Sequence, residues 1–336
     1  MTTYKTSGQT IRPIYTKEDL NKIEAELERA GLFIEYRGHG GSYFRKLNPL
    51  PGQGFVEAPP HSQITRNFID FKGERALNFA ISKGWEQWFT PLIVSTRPFR
   101  GPNLSSDEAK INMASEIDSW ESTAMCKTLF ETLQKILPTN INKIIAFGLG
   151  QIGDVELISP MRIFDVQSHR EHALVLTVAR ALNGRKGTNQ ENNVPVYLQD
   201  PAYTTVCKSV LSDTYGFKII DGFGARGFTM VDENTLVMGH HPNYPLREII
   251  ADIARPAAMC WSPPNRELFE NEPPRRKIYA TDVDSVRVYE MLKEYEETPI
   301  PGFRSRKPFA DHDNFQIEWM EEPFYDSVWY IRKQKT

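Results

Sequence analysis

Residues 142–154 read NKIIAFGLGQIGD, an apolar run that ends in closely spaced glycines. The run that begins at Ile144 is short and continuously apolar, which is typical of a strand buried on both faces of a parallel sheet. Gly148, Gly150 and Gly153 follow it in the pattern G-x-G-x-x-G, which lets backbone amides approach a ligand without a Cβ in the way. The segment therefore predicts a buried strand that leads into a tight turn.

Helical and strand patterns alternate around this segment. Apolar periodicity predicts helices over residues 115–136, 168–183, 201–216 and 242–254, and strands over 194–200, 217–222 and 257–261, with two short strands within 227–241. Parallel strands need a crossover connection, and a helix usually supplies it. We therefore predict an α/β fold with a Rossmann-like, mainly parallel sheet flanked by helices.

This pattern divides the chain into a core and two extensions. The core is predicted to span residues 115–262, with an N-terminal helical and loop extension over 1–114 that packs on it and a C-terminal extension over 263–336. Within the extensions the patterns predict helices over 17–30, 73–89 and 283–295, a long loop over 38–61, and a strand or packed segment near the C-terminus.

Composition narrows the class of partner. The 336 residues contain 40 Lys and Arg against 43 Asp and Glu, giving a net charge of -3, so no global field attracts a polyanion. No stretch is apolar enough to span a membrane, and the three cysteines show neither metal-site nor disulfide spacing. We expect a cytoplasmic protein that binds neither membrane nor DNA.

The glycine pattern falls short of the dinucleotide fingerprint. A dinucleotide site would have a helix beginning at Gly153, whereas the helical period resumes only near Ser168. The acidic residue that closes the next strand, Asp200, follows by about 50 residues, where the fingerprint expects about 20. We predict no cofactor. A tight turn at a sheet edge and an enzyme that uses S-adenosylmethionine or NAD(P) both remain open alternatives.

Glycines and polar residues follow four of the predicted strands. Since the carboxyl ends of parallel strands share one edge of a sheet, these residues are expected to meet in one cleft. They are Gly148, Gly150, Gln151, Gly153 and Asp154 after the first strand, then Asp200 and Tyr203, then Asp221, and finally His240 and Asn243. Asp200 is also suited to cap the helix that Pro201 would begin.

The spacing of the histidines does not match a metal-binding site. Adjacent residues on a strand point to opposite faces, so His240 and His241 cannot both enter the cleft. His169 and His172 share a helical face, but no third ligand stands at a recognised distance, and we predict no metal. Glu171, between them, is a candidate anion for a cationic substrate, although a solvent-facing carboxylate is the alternative.

Basic residues cluster in the C-terminal extension. Such runs are usually solvated loops, but interleaved with Tyr279 and Phe303 they can also form a phosphate-tracking surface for RNA. The predicted RNA-binding residues are Arg275, Arg276, Lys277, Arg304, Arg306 and Lys307. No G-x-S-x-G elbow, Walker A loop or H-E-x-x-H motif is present, so the usual hydrolase and NTPase chemistries are not indicated.

Five segments carry a family resemblance. In chain order they are Trp120–Glu121–Ser122 with Cys126 and Leu129, IIAFGLG at 144–150, ALVLTVARAL at 173–182, DPAYT at 200–204, and TLVMGHHP at 235–242. Together they resemble the Sensitivity to Red Light Reduced domain family, hereafter the SRR-like family. Its plant and animal members are known mainly as regulators, whereas some fungal proteins of similar size and sequence are arginine-containing cyclodipeptide synthases.

The resemblance implies a reaction and its partners. Such synthases join arginyl-tRNA with a second aminoacyl-tRNA and release a diketopiperazine, without a cofactor. On this basis the glycine turn would donate to an oxyanion, and Tyr203 or His240 would move protons. The guanidinium would be held by one of three carboxylates, those of Asp154, Glu171 and Asp200.

The glycine turn departs from the bacterial synthases at one position. Those enzymes carry a nucleophilic serine just after the first strand, where this chain has Gln151. A covalent acyl-enzyme and direct attack between two bound aminoacyl-tRNAs therefore both stay open. A non-catalytic regulatory domain remains a further alternative.

Overall fold

The computed structural model describes ten stretches of the chain, and every structural statement below refers to them. They are residues 4–6, 9–11, 13–38, 43–84, 90–153, 163–186, 193–240, 242–264, 285–299 and 327–334.

Strands and helices alternate through most of the described chain. The strands are β1 (Tyr4–Thr6), β2 (Gln9–Ile11), β3 (Phe33–Arg37), β4 (Tyr43–Leu47), β5 (Gln63–Phe71), β6 (Leu92–Arg100), β7 (Lys143–Phe147), β8 (Val196–Gln199), β9 (Lys218–Ile219), β10 (Thr235–Gly239), β11 (Ala258–Trp261), β12 (Tyr295–Pro299) and β13 (Val328–Arg332). The helices are α1 (Lys17–Glu28), α2 (Glu74–Ser82), α3 (Ser106–Glu121), α4 (Ala124–Ile136), α5 (Ile163–Lys186), α6 (Thr205–Ser209), α7 (Arg226–Thr229), α8 (Leu246–Ile253) and α9 (Val286–Leu292), and a π-helical turn over Val210–Thr214 continues α6.

Seven strands form the central sheet in the order β12-β13-β11-β10-β7-β8-β9. The five strands β11, β10, β7, β8 and β9 are parallel to one another, and β13 and β12 add an antiparallel edge. The predicted α/β fold with a mainly parallel sheet is therefore confirmed. The chain moves outward from β7 through β8 to β9 and then returns to the other side of β7 at β10. This reversal makes the gap between β7 and β10 the topological switch point, beyond which ligands bind in open α/β sheets.

Both faces of the sheet are covered, which explains the uninterrupted apolar run of β7. Ile144 and Ala146 point to one face and belong to a core cluster with Leu129 and Leu133 of α4. On the opposite face Phe147 joins a second cluster, which contains residues of α1, α8 and the N-terminal region. The last four residues of β7 are buried, so the strand holds the glycine turn that follows it between two packed layers.

Strands β5 and β6 pair in antiparallel register from Gln63 opposite Arg100 to Phe71 opposite Leu92. We refer to this two-stranded ribbon as the arm. It contacts the core through the amide of Ile69, which donates to the carbonyl of Phe223 at 3.1 Å. The arm thereby lies beside the carboxyl ends of the core strands.

Helix α1 also supports the loop after β9. The buried carboxylate of Glu24 accepts the amides of Phe223 and Ala225, the latter at 2.6 Å. Burial raises the pKa of Glu24, and the amide hydrogen bonds oppose that shift. The N-terminal region thus supplies hydrogen bonds that the loop of the core does not make for itself.

Three local predictions were wrong. The helix predicted from residue 115 is two helices, because Ser105 and Glu108 form a capping box at the start of α3 and Thr123 caps α4. Residue 115 falls inside α3. The predicted loop over 38–61 contains β4. The strand predicted just after residue 226 is the short helix α7, because the amide of Gln199 bonds the backbone of Gly224 and Gly227 and so satisfies the turn without strand pairing.

Candidate functional site

A cleft of about 570 Å³ opens at the switch point, between the carboxyl ends of the core strands and the arm. Its core wall includes Gly148, Gly150, Gln151, Asp200, Asn243 and Tyr244. Its other wall is formed by the arm, with Gln63, Phe68, Asp70, Arg97, Phe99 and Arg100. The structure therefore brings together five of the residues predicted from the strand ends.

The glycine turn is shaped by close packing. Gly148 and Gly150 have φ of 69° and 76°, in the left-handed region that favours glycine. A Cβ on Gly150 would lie 2.2 Å from Oγ of Ser168, and one on Gly153 would lie 3.0 Å from Oγ1 of Thr204. Gly153 faces this protein interior and is not part of the cleft wall. Ser168 is in the second turn of α5, so the turn meets the side of that helix rather than its N-terminus, unlike a dinucleotide site.

Asp200 connects two strand ends. Its carboxylate accepts the amides of Gly150 at 2.7 Å and Ala202 at 2.8 Å. Burial raises the pKa of Asp200, the two amide hydrogen bonds oppose this shift, and the charge of Glu171 adds to it. The predicted capping role is wrong, because Thr204 caps α6 and accepts the amide of Cys207. A carboxylate with one amide on each oxygen keeps acceptor sites for a further donor.

Asp200 also lies closer to the glycine turn than its sequence separation suggested. Strand β8, which Asp200 follows, is the direct neighbour of β7 in the sheet. The separation of about 50 residues arises because α5 alone has 24 residues. An acidic side chain at this position is where dinucleotide folds bind a ribose hydroxyl, although the helix N-terminus of such folds is missing here.

Tyr203 and His172 form a buried pair behind the cleft. The Tyr203 hydroxyl lies 2.7 Å from Nε2 of His172, and both side chains are at most 4 % exposed. Burial raises the pKa of Tyr203 well above its usual value and lowers that of His172 to about 3. Tyr203 borders a second, very small cavity next to Asp200, and no part of it lines the main cleft.

His240 and Glu171 form a second buried pair. Nδ1 of His240 lies 3.0 Å from Oε1 of Glu171, and the amide of Gln167 donates to the same oxygen at 3.0 Å. The carboxylate holds the imidazole with its proton on Nδ1. Both residues are 4 % exposed and neither lines the cleft, so the Glu171 carboxylate is turned to an internal partner and not to solvent.

The arm wall was missed from the sequence. Arg97 pairs with Asp70 and stacks 4.4 Å above the ring of Phe68. Arg66 is almost fully buried and stacks 3.6 Å from the ring of Phe99. The sequences QITRNFIDF and LIVSTRPFR do carry a signal, because arginines and aromatic residues recur in two β-rich segments.

Several predicted residues lie outside the described part of the chain. They are Asp154, His241 and the six basic residues Arg275, Arg276, Lys277, Arg304, Arg306 and Lys307. Within the described ranges, no group of three His, Cys, Asp or Glu side chains is placed to hold a metal ion. No helix of those ranges is both long enough and apolar enough to cross a membrane.

The strand order defines a doubly wound α/β domain. Its cleft lies at the switch point, which is where ligands bind in domains of this class. A family model described as the SRR1 domain matches residues 129–330, more than half of the 336-residue chain. The chain therefore belongs to the SRR1 domain family. The comparisons gave no match among curated proteins and none among solved structures.

Proposed function

We propose that this SRR1 domain protein is a cyclodipeptide synthase that condenses arginyl-tRNA with a second aminoacyl-tRNA. The observation that carries the proposal is Asp200 in the wall of the cleft, beside the glycine turn. Its two oxygens are each fixed by one backbone amide, which orients the carboxylate before a ligand binds. A guanidinium donates through a planar fork that matches such a carboxylate.

Electrostatics favour a cationic ligand at this position. Burial makes an ionised Asp200 costly, as its raised pKa records. A bound guanidinium would stabilise the ionised form and would lower that pKa again. A neutral side chain of the same size would leave the carboxylate uncompensated. Asp200 is therefore suited to select arginine over uncharged amino acids.

The reaction requires little covalent chemistry from the protein. An aminoacyl ester is already activated, so the amine of one substrate can attack the ester carbonyl of the other. An amide bond forms, the ester bond to the tRNA breaks, and the proton lost by the amine goes to the departing 3′ oxygen. A second attack of the same kind closes the six-membered ring and releases the second tRNA.

We assign the protein a positioning role in this reaction and infer direct attack. Gln151 lines the cleft where a nucleophilic serine would be needed for an acyl-enzyme. Tyr203 and His240 are one layer behind the wall, where each bonds a residue of α5. They would hold the strand ends in place rather than contact the reacting atoms.

Expression in a bacterial host tests the proposal directly. We expect an arginine-containing diketopiperazine in the medium, measured by mass spectrometry, and the same product from purified protein supplied with aminoacyl-tRNAs. Asp200→Asn should abolish the product, whereas Asp118→Asn, an exposed residue of α3, should not. A folded wild-type protein that releases no such product from supplied arginyl-tRNA would contradict the proposal.

A nucleotide-cofactor enzyme is the second candidate. Asp200 at the end of β8, beside the glycine turn, is the observation that favours it, because this is where dinucleotide folds bind ribose. Thermal-shift measurements with S-adenosylmethionine, NAD and NADP test it, since a ligand at one hundred times its Kd stabilises by about 2.7 kcal/mol. A non-catalytic domain would be supported if the folded wild type released no product and showed none of these shifts.

A further inference from the structure

The arm presents one uncommitted cation to the cleft. Arg97 is neutralised by Asp70, which also accepts from the hydroxyl of Ser95. Arg100 lines the same cleft and is exposed, and its side chain makes no ion pair or hydrogen bond with the described residues. The arm wall therefore carries a net positive charge that its own residues do not compensate.

Cations and aromatic rings stack in a continuous series along the arm. From Arg97 the contacts pass to Phe68 at 4.4 Å, then to Phe99 with ring centroids 6.3 Å apart, and then to Arg66 at 3.6 Å. Arg66 also donates to the carbonyl of Pro201, next to Asp200. This series ties the arm to the opposite wall of the cleft.

The two walls differ in chemistry. The core wall offers the carboxylate of Asp200, an acceptor for hydroxyl or guanidinium donors. The arm offers Arg100 and the amide side chain of Gln63, which lies opposite it in the strand pairing and therefore on the same face of the ribbon, while the ring of Phe99 lies on the other face. Arginine is suited to binding phosphate, and the core wall of the cleft adds the ring of Tyr244, an aromatic surface of the kind on which bases stack.

We propose that the arm is the phosphate-binding wall of this cleft and that its ligand is a phosphorylated nucleotide. Arg100 contacts the phosphate, and the base stacks on an aromatic ring of the cleft. The nucleotide has two sources, the 3′ end of a tRNA or a free nucleotide cofactor. The assignment rests on the cleft alone and holds for either function proposed above.

Binding measurements on the full chain test the arm. The probes are fluorescently labelled deacylated tRNA, followed by anisotropy, and AMP and NADP, followed by calorimetry. We expect Arg100→Gln to weaken binding of the phosphorylated ligand about tenfold, as the loss of one charge-assisted contact implies. Arg100→Lys should recover part of the affinity. Arg29→Gln, at a 73 % exposed side chain in the C-cap position of α1, is the control and should change nothing.

The salt dependence of tRNA binding distinguishes the loss of a phosphate contact from a general loss of affinity. For tRNA, the slope of log affinity against log salt concentration should fall by about 0.7 in Arg100→Gln and stay unchanged in the control. Weaker binding of tRNA alone identifies an RNA end as the ligand, and weaker binding of AMP or NADP identifies a free nucleotide. Either result supports the arm.

The proposal is overturned if the wild type binds none of these probes, or if Arg100→Gln binds them as the wild type does. Circular dichroism of each variant confirms that the exposed substitutions leave the fold intact. The product assay is read separately. A diketopiperazine with unaltered tRNA affinity in Arg100→Gln would reject the arm and keep the synthase, and the reverse pattern would reject the synthase alone.

Discussion

The hydroxyl of Tyr203 donates to Nε2 of His172 across 2.7 Å, and Nδ1 of the same imidazole donates to the carbonyl of Ser168 at 2.6 Å. One ring nitrogen therefore carries the proton and the other accepts one, which is the pattern of a neutral histidine. The pair joins α5 to the segment that follows Asp200. It thus stands between the helix and the wall of the cleft.

Because His172 is neutral in the folded protein, the free energy of unfolding should decrease as the pH falls. Burial lowers the pKa of His172 to about 3, so the folded state excludes a proton that the unfolded chain accepts near pH 6.5. The stabilisation is complete above pH 6.5 and is lost as the pH falls towards 3. We expect His172→Phe to flatten the decline in unfolding free energy between pH 6.5 and 4.5, measured by urea denaturation.

The exposed His61 provides the control for this slope. His61→Phe should keep the acid dependence of the wild type. His172→Phe also leaves the Tyr203 hydroxyl without its partner, a cost that is independent of pH, so the slope and not the absolute stability is the decisive quantity. An unchanged slope in His172→Phe would show that the imidazole is not held neutral.

A buried carboxylate on the other side of the sheet predicts the opposite dependence. Glu248 accepts the amide of Glu74 at 2.9 Å and lies 3.6 Å from the buried guanidinium of Arg287. Burial raises the pKa of Glu248 to about 7, despite the neighbouring charge of Arg287. The folded state therefore holds a proton that the unfolded chain releases near pH 4.5, and stability falls as the pH rises from 4.5 to 7.

Glu248→Gln should remove this decline. The glutamine side chain still accepts the amide of Glu74 but cannot ionise. We expect the free energy of unfolding of the variant, relative to the wild type, to rise between pH 4.5 and 7. Glu233→Gln, at an exposed turn, should follow the wild type throughout. Parallel curves for Glu248→Gln and the wild type would mean that Glu248 stays ionised in the folded protein.

The central sheet and much of the cleft could be predicted from the sequence. Strand β7 is a short apolar run that ends in glycines, and the chain after it alternates between helical and strand periods. Parallel strands place their carboxyl ends at one edge, so Gly150, Asp200 and Asn243 were expected to meet, and all three line the cleft.

The sequence could not predict how deeply each side chain at a strand end is buried or which residue it bonds. Tyr203 and His240 also follow strands, but their side chains turn inward, where α5 provides the hydrogen-bond partners His172 and Glu171. A strand end in a sequence does not indicate which layer its side chain enters. The arm was missed because β5 and β6 pair only with each other, through contacts that local periodicity does not record.

A buried hydrogen bond from the indole of Trp120 joins α3 to α5, and its contribution to stability can be tested. Nε1 of Trp120 donates to Oγ1 of Thr177 at 2.9 Å, and both residues are buried. Thr177→Val keeps the volume but removes the acceptor, which leaves a buried N–H without a partner. We expect a loss of about 1–3 kcal/mol in unfolding free energy.

Thr177→Ser is the matched variant, because it keeps the hydroxyl and removes only a methyl group. It should retain most of the stability and the near-ultraviolet circular dichroism of Trp120. Equal losses in the valine and serine variants would assign the cost to packing and reject the hydrogen bond.

The last prediction concerns the close approach of Gly150 to Ser168. Gly150 has φ of 76°, and an added Cβ would meet Oγ of Ser168 at 2.2 Å. Gly52 has nearly the same φ, 78°, with nothing within 4 Å of an added Cβ. Gly52→Ala therefore reports backbone strain alone, about 1–2 kcal/mol, whereas Gly150→Ala adds an overpacking cost of about 1–3 kcal/mol.

A double variant separates these two costs. Removing the hydroxyl in Gly150→Ala/Ser168→Ala leaves a Cβ contact of 3.3 Å in place of the clash. In the Ser168→Ala background, we expect the loss of unfolding free energy caused by Gly150→Ala, measured by chemical denaturation, to fall to that caused by Gly52→Ala. If the two single glycine variants were equally destabilised, the turn would yield to α5, and the packing explanation for this glycine would be wrong.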